Sequence, residues 1–257
     1  AKIALIANCS EPDLVPWLQC CGLRGFLRYP TRWSHWAGWF ANRDAMRPPD
    51  DPLYATGHAI DNTLAMAEAL GLPAVAPEQR RLRLHVVLAA SDALPNDLAG
   101  RLVIHPGASR ADKQWPLERW ARVGSSLAEE FGLTCALTGG EGERELAAEL
   151  QSMLPKGTVN LAGELELPRL AVFLQKSALL LSGDTGPYHI AVATGCPSVT
   201  LFAPRDRGSS VEACGLHQAD RSRHAELQTA DFQRPISEIA DTEVLAAARA
   251  ILRATQA

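Results

Sequence analysis

The residues of this chain best suited to chemistry lie in three short polar stretches, each following an apolar run. The first is Ser182-Gly183-Asp184-Thr185-Gly186-Pro187-Tyr188-His189, between Ala178-Leu179-Leu180-Leu181 and Ile190-Ala191-Val192-Ala193-Thr194-Gly195. A strand, a tight polar turn and a helix in that order aim free backbone N–H groups at an anion. Asp184 or Thr185 can cap such a helix. Gly186 lets a ligand approach the backbone, and Pro187 suits a first helical turn. The second stretch is His105-Pro106-Gly107-Ala108-Ser109, whose small residues leave room for a ligand, with Lys113 shortly after it. A lysine there can set a compact positive charge on a phosphate. The third is Thr138-Gly139-Gly140, followed by Glu141 and Glu143. A carboxylate at a strand end can hold a ribose through its hydroxyls, and it can equally favour the start of the next helix through its dipole. His189, one turn beyond Thr185, can donate to a phosphate or a sugar, although a lone helix histidine is more often structural. Each feature has an ordinary reading, as a capped helix start or a solvated lysine. Their convergence on one sheet edge favours a site.

That set of groups suits a diphosphate whose charge is neutralised by Lys113 and helix N–H groups. A departing diphosphate is stabilised by such preorganised donors. The chain contains no DxD, HExxH or GxxxxGK[ST] sequence, so neither a metal nor a cofactor is expected from its motifs. The GxSxG elbow of serine hydrolases is likewise missing, as is a GxGxxG fingerprint after a strand.

The elements that must position these groups follow from hydrophobic period. Short apolar runs predict strands over 102–105, 133–138, 158–161, 178–182 and 198–202. Amphipathic spacing predicts helices over 116–131, 143–153, 167–175 and 186–194. Regular alternation of this kind means a parallel, doubly wound sheet, which binds ligands beyond the carboxyl ends of its strands. Upstream, strands are expected over 3–7 and 25–29, and helices over 14–21 and 58–70. Between them, residues 30–57 form a long stretch without a clean period, in which Trp33, Trp36 and Trp39 read as local packing. Residues 73–100 are proline-punctuated and carry the interdomain linker near their end. The stretch 203–236, with Arg205, Arg207, Arg221 and Arg223, reads as irregular. Residues 237–254 return to a helix with Ser237 as its cap. The expected organisation is a partial N-terminal Rossmann-like domain with linker over 1–98, a ligand-binding Rossmann-like domain over 99–236 and a C-terminal helix over 237–257.

Length and composition agree with this. The chain has 257 residues, 47% apolar and 21% charged, enough for one large or two small domains. A net charge of −4 argues against nucleic acid as the main partner. The six cysteines form no paired CxxC sites, so a reducing compartment fits better than a disulfide framework. No apolar run approaches the ~20 residues of a membrane span.

Taken together, His105-Pro106-Gly107-Ala108-Ser109, Lys113-Gln114-Trp115-Pro116, Leu137-Thr138-Gly139-Gly140, Asn160-Leu161-Ala162-Gly163 and Gly183-Asp184-Thr185-Gly186-Pro187-Tyr188-His189 resemble glycosyltransferase family 9, the ADP-heptose:lipopolysaccharide heptosyltransferases. Their order and spacing agree over roughly 102–204. Upstream, 22–29 and 58–71 resemble more loosely the members that add the second heptose. The resemblance implies a GT-B fold of two Rossmann-like doubly wound domains and an inverting, metal-independent transfer of heptose from ADP-heptose to the lipopolysaccharide inner core. It implies that Lys113 and the backbone at Thr185 and Gly186 contact the diphosphate, with Ser109 nearby. It further implies that Glu143 (or Glu141, if the loop slips) contacts the nucleoside, that Leu165 flanks the adenine, and that Asp184 and His189 line the site. The partners implied are an ADP-sugar donor and a lipopolysaccharide core acceptor, with cytoplasmic location and at most peripheral contact with the inner membrane.

One departure from the family pattern carries an expectation of its own. Members usually begin with a strand and a glycine-aspartate turn whose aspartate is thought to deprotonate the acceptor. Asn8-Cys9-Ser10 aligns better with a later strand, so the chain is expected to be truncated at its amino terminus, with its N-terminal domain incomplete. No catalytic base is assigned; Asp13 and Asp44 are carboxylates without recommending spacing. The alternative reading is a nucleotide-sugar-binding module that does not transfer.

Overall fold

The computed structural model describes residues 3–6, 25–28, 43–44, 73–76, 84, 98–205, 210–216 and 222–256. The helices expected over 14–21 and 58–70, the three tryptophans Trp33, Trp36 and Trp39, Asn8-Cys9-Ser10, Asp13, Arg207 and Arg221 lie outside the described residues. The chain divides into two compact units, Ala1–Arg80 and Arg81–Ala257.

The first unit contains three parallel strands in the order β1-β2-β3: β1 (Ile3–Ile6), β2 (Gly25–Arg28) and β3 (Arg43–Asp44). Ile3 pairs with Gly25, and Leu27 with Arg43. The two strands expected here are present. The third corrects the reading of 30–57 as loop throughout; two residues are too few to show a period of two.

The second unit is a six-stranded parallel sheet in the order β6-β5-β4-β7-β8-β9. Its strands are β4 (Leu102–His105), β5 (Cys135–Leu137), β6 (Val159–Asn160), β7 (Leu179–Gly183), β8 (Ser198–Phe202) and β9 (His224–Gln228). Its helices are α1 (Leu117–Phe131), α2 (Arg144–Met153), α3 (Leu167–Gln175), α4 (Gly186–Thr194), α5 (Val211–Cys214) and α6 (Asp241–Gln256). The chain starts in the middle at β4, builds outward through β5 and β6, then returns to the other side of β4 with β7. This is the strand order of a dinucleotide-binding sheet, and the reversal between β4 and β7 is its switch point.

Alternation along the strands sorts the core into two layers. Leu102, Ile104, Leu179, Leu181, Val199 and Leu201 face one way, against Trp120, Val123 and Leu127 of α1, Leu150 of α2 and Val244, Ala248 and Ile251 of α6. Val103, Ala136 and Leu180 face the other way, against Leu170, Phe173 and Leu174 of α3 and Ala191 of α4. A central parallel strand is covered on both faces, so β4 and β7 open with unbroken apolar runs, Leu102-Val103-Ile104 and Leu179-Leu180-Leu181. Helix α4 stops at Gly195, whose φ of 77° is a left-handed conformation that glycine adopts without a Cβ penalty.

Two expectations for the C-terminal part fail. The stretch 203–236 is not irregular throughout: it contains α5 and the edge strand β9, which pairs with β8 from Ser198↔His224 to Phe202↔Gln228. Nor does Ser237 cap the last helix. It lies in a 3-10 turn, Ile236–Glu238, and α6 begins at Asp241. The Glu243 carboxylate reaches back to accept from the Ala240 N–H at 2.9 Å, the reciprocal half of a capping box. The Arg119 guanidinium explains the displaced start: it donates to the Asp241 carboxylate and to the carbonyls of Ser237 and Ile239. Trp115 Nε1 also donates to the Ile239 carbonyl, at 3.2 Å. The carbonyl of Ser237 is thereby committed to a tertiary contact.

Candidate functional site

The loop leaving β4 and the turn leaving β7 meet at the switch point, because β4 and β7 are neighbours with His105 in register with Ser182. After Ser109, which is exposed, the first loop folds back through a 3-10 turn, Ala111–Lys113. This brings the Lys113 carbonyl so close to Gly183 that a Cβ there would stand 3.1 Å from it. Any larger residue at the end of β7 would push the two loops apart. The Lys113 ammonium donates to the Asp184 carboxylate, and to the Asp184 carbonyl at 3.2 Å. Both side chains are mostly buried, with 17% and 21% exposed.

The pairing corrects the expectation that Asp184 or Thr185 caps α4. Thr185 occupies the N-cap position, but its side chain makes no capping hydrogen bond, and among the described residues no side chain caps the helix. Its hydroxyl donates instead to the Gly183 carbonyl at 3.3 Å, while the Asp184 carboxylate is held by Lys113. An uncapped first turn leaves backbone donors for a ligand. The position of Gly186 faces open space, as close approach requires. His189 Nε2 lies 4.0 Å from Asp184 Oδ1. Burial lowers the His189 pKa, opposed by Asp184 and reinforced by Lys113. The imidazole is therefore mainly neutral at pH 7, a hydrogen-bonding group rather than a cation.

An ion pair lies on the same loop as Lys113. Arg110 pairs with Asp112 and holds its carboxyl below the usual carboxylate range, and Arg205, just beyond β8, adds to that effect.

Glu143 occupies the neighbouring step between β4 and β5. Its carboxylate accepts from the Gly140 N–H at 2.7 Å. It lies directly over Gly107, where a Cβ would stand 1.8 Å from Oε1. Behind it, the buried His105 has Nδ1 3.3 Å from Thr138 Oγ1; burial lowers the pKa of His105 and the Glu143 charge opposes this. Glu141 is different, with 85% of its side chain exposed and Arg144 at 3.6 Å. Leu165 is half-buried beyond β6 and packs against the core layer of α3 and α4. The structure therefore gathers Lys113, Asp184, Thr185, Gly186 and His189 at the switch point. It sets Glu143 one strand over and leaves Leu165 two strands away.

Sequence reasoning quoted Tyr188 within its motif but did not link it to Glu226. Tyr188 is fully buried, and its hydroxyl donates to the Glu226 carboxylate on β9. The two residues are far apart in sequence, and no spacing links them.

Chemically, the crevice offers an ammonium, an uncapped helix start and a small-residue turn within reach of one anion, with a carboxylate alongside to accept hydroxyl protons. Known proteins are similar to this chain in sequence and in fold. The sequence profile of glycosyltransferase family 9 (heptosyltransferase) matches residues 27–238. Lipopolysaccharide core heptosyltransferase OpsX of Haemophilus influenzae is 29% identical over 181 residues, covering 70% of this chain and 50% of OpsX. The chain thus spans about half the length of that relative. Among solved structures, E. coli ADP-heptose lps heptosyltransferase II superposes with a TM-score of 0.72 at 16% identity, covering 99% of this chain and 77% of that one. E. coli heptosyltransferase WaaC with ADP superposes with a TM-score of 0.67 at 21% identity, covering 95% and 71%. At these identities the likeness to the solved structures is one of fold: parallel-sheet α/β units like those of the GT-B-type heptosyltransferases. The family itself is fixed by the profile, which runs through most of the chain and across every turn of the crevice: the chain belongs to glycosyltransferase family 9.

Proposed function

We propose that this chain carries the donor site of an inverting heptosyltransferase that moves heptose from ADP-heptose to the lipopolysaccharide inner core. The observation that carries the reading is the meeting of Lys113 with the uncapped start of α4 at the switch point of the sheet. In this reading the diphosphate takes the Lys113 ammonium from Asp184 and receives backbone donors at Thr185 and Gly186. Ser109 lies on the same loop. Glu143 accepts from the ribose hydroxyls, and Leu165 lies toward the adenine. The segment 99–236 is the nucleotide-sugar-binding domain and 1–98 belongs to the acceptor side.

An acceptor hydroxyl oxygen bonds to the anomeric carbon as the bond from that carbon to the diphosphate oxygen breaks. The electron pair leaves with ADP, and the hydroxyl proton passes to a base that is not assigned. Charge developing on the diphosphate falls on Lys113 and the helix start, which are already in place. A fixed cation of this kind supplies the neutralisation a divalent ion would otherwise provide. We place the activity at the inner face of the bacterial inner membrane, reached by peripheral contact. Among the described residues, no helix is long and apolar enough to cross a membrane.

Calorimetric titration with ADP, UDP and GDP, each with and without a chelator, tests the reading. ADP is expected to bind best, with superimposable curves in the two buffers. Loss of ADP affinity in chelator would contradict the metal-free part, and preference for UDP or GDP would contradict the donor.

A further inference from the structure

We propose that Tyr188 and Glu226 are positioning residues for this crevice: their hydrogen bond ties the first turn of α4, which carries Gly186 and His189, to the edge strand β9. The proposal rests on the donor reading given above and deepens it.

The first turn of α4 needs such a tie. Among the described residues it has no side-chain cap, and Thr185 is turned back toward Gly183. Across the sheet beneath it, register aligns His105 with Ser182, Ser182 with Thr200 and Thr200 with Glu226. Ser182 Oγ and Thr200 Oγ1 are both buried without a hydrogen-bond partner among the described residues, so the middle of this row offers α4 no polar anchor there. The anchor lies at its end. The Tyr188 ring is fully buried and packs edge-on against Phe202, with centroids 5.7 Å apart, while its hydroxyl donates to Glu226. The Leu216 N–H donates to both the Tyr188 hydroxyl and Glu226 Oε1, at 2.6 Å each. On the other carboxylate oxygen, a Cβ at Gly215 would stand 2.2 Å away, so the backbone closes over the group. A carboxylate fixed by an O–H and an N–H donor forms charge-assisted bonds, which are short and directional. Glu226 is also felt at the site: its charge, like that of Asp184, opposes the lowering of the His189 pKa by burial and Lys113.

If the tie is lost, the turn samples conformations that do not bind, and apparent affinity falls with the competent fraction. The test compares Tyr188→Phe, Glu226→Ala and Glu226→Gln with the parent chain. Tyr188→Phe and Glu226→Ala are expected to raise the Kd for ADP by about tenfold. Glu226→Gln keeps an oxygen acceptor and is expected to stay within about twofold of the parent. Without nucleotide, amide exchange at residues 185–189 should quicken in Tyr188→Phe and Glu226→Ala, while β4 and β7 exchange as in the parent. Unchanged exchange over 185–189, equal acceleration across the whole sheet, or no rescue by Glu226→Gln would each overturn the proposal. A parent that fails to bind ADP would contradict the donor reading instead, because the exchange comparison needs no nucleotide.

Discussion

Replacing Lys113 with alanine is expected to weaken ADP binding by about 10- to 150-fold, the equivalent of ~1.5–3 kcal/mol for a charge-assisted contact. Two effects add. The diphosphate loses a cation that is mostly withdrawn from water, with 17% of its side chain exposed. The carboxylate of Asp184 is also left without the ammonium that neutralises it, so a negative charge remains beside the incoming anion. Folding is expected to lose about 1–3 kcal/mol, because removing one partner of a mostly buried pair leaves the Asp184 charge unpaired, and at 21% exposure water still reaches it in part. Calorimetry on the variant, with thermal unfolding as the control, decides the matter. Unchanged affinity in a folded variant would remove Lys113 from the site.

The largest stability effect is expected at Trp120. This ring is 1% exposed and packs edge-on against Trp115 with centroids 4.7 Å apart. Trp115 in turn carries the Arg119 guanidinium 4.6 Å above its ring and follows closely on Lys113 in the chain. Trp120→Ala opens a cavity at the point where α1, α6 and the Lys113 loop converge, and should cost about 3–5 kcal/mol in urea unfolding. Trp120→Phe should cost far less, about 1–2 kcal/mol. Trp120 Nε1 has no hydrogen-bond partner among the described residues, so phenylalanine loses volume but no bond. Equal losses in the two variants would mean that the indole N–H is bonded after all.

How much of this was legible in the sequence depends on how local the cause is. The central strands β4 and β7 were legible because burial on both faces demands an unbroken apolar run, and β8 because Val199, Leu201 and Phe202 still make a short β-branched and apolar segment. Helices α1 to α4 were legible from their apolar period and, for α4, from Gly195. The convergence of the Lys113 loop on the Asp184 turn also followed, since a doubly wound sheet sends both to the same edge. Strand β9 was not legible: His224-Ala225-Glu226-Leu227-Gln228 is a short, polar edge strand whose partner is set by register with β8. The cap on α4 failed for a related reason, because a lysine from another loop holds Asp184. The start of α6 shifted when Arg119 and Trp115 claimed the carbonyls before it. Tyr188 and Glu226, like Gly107 beneath the Glu143 carboxylate, are tertiary pairings that no local pattern encodes. Each miss is a case of a contact distant in sequence overriding a short-range preference.

The most direct test of the donor site is the structure of the ADP complex of this chain. The account predicts the diphosphate between the ends of β4 and β7, with Lys113 Nζ and the Gly186 N–H within hydrogen-bond distance of its oxygens and the ribose beside Glu143. A complex in which ADP lies elsewhere, while Lys113 still holds Asp184, would contradict it.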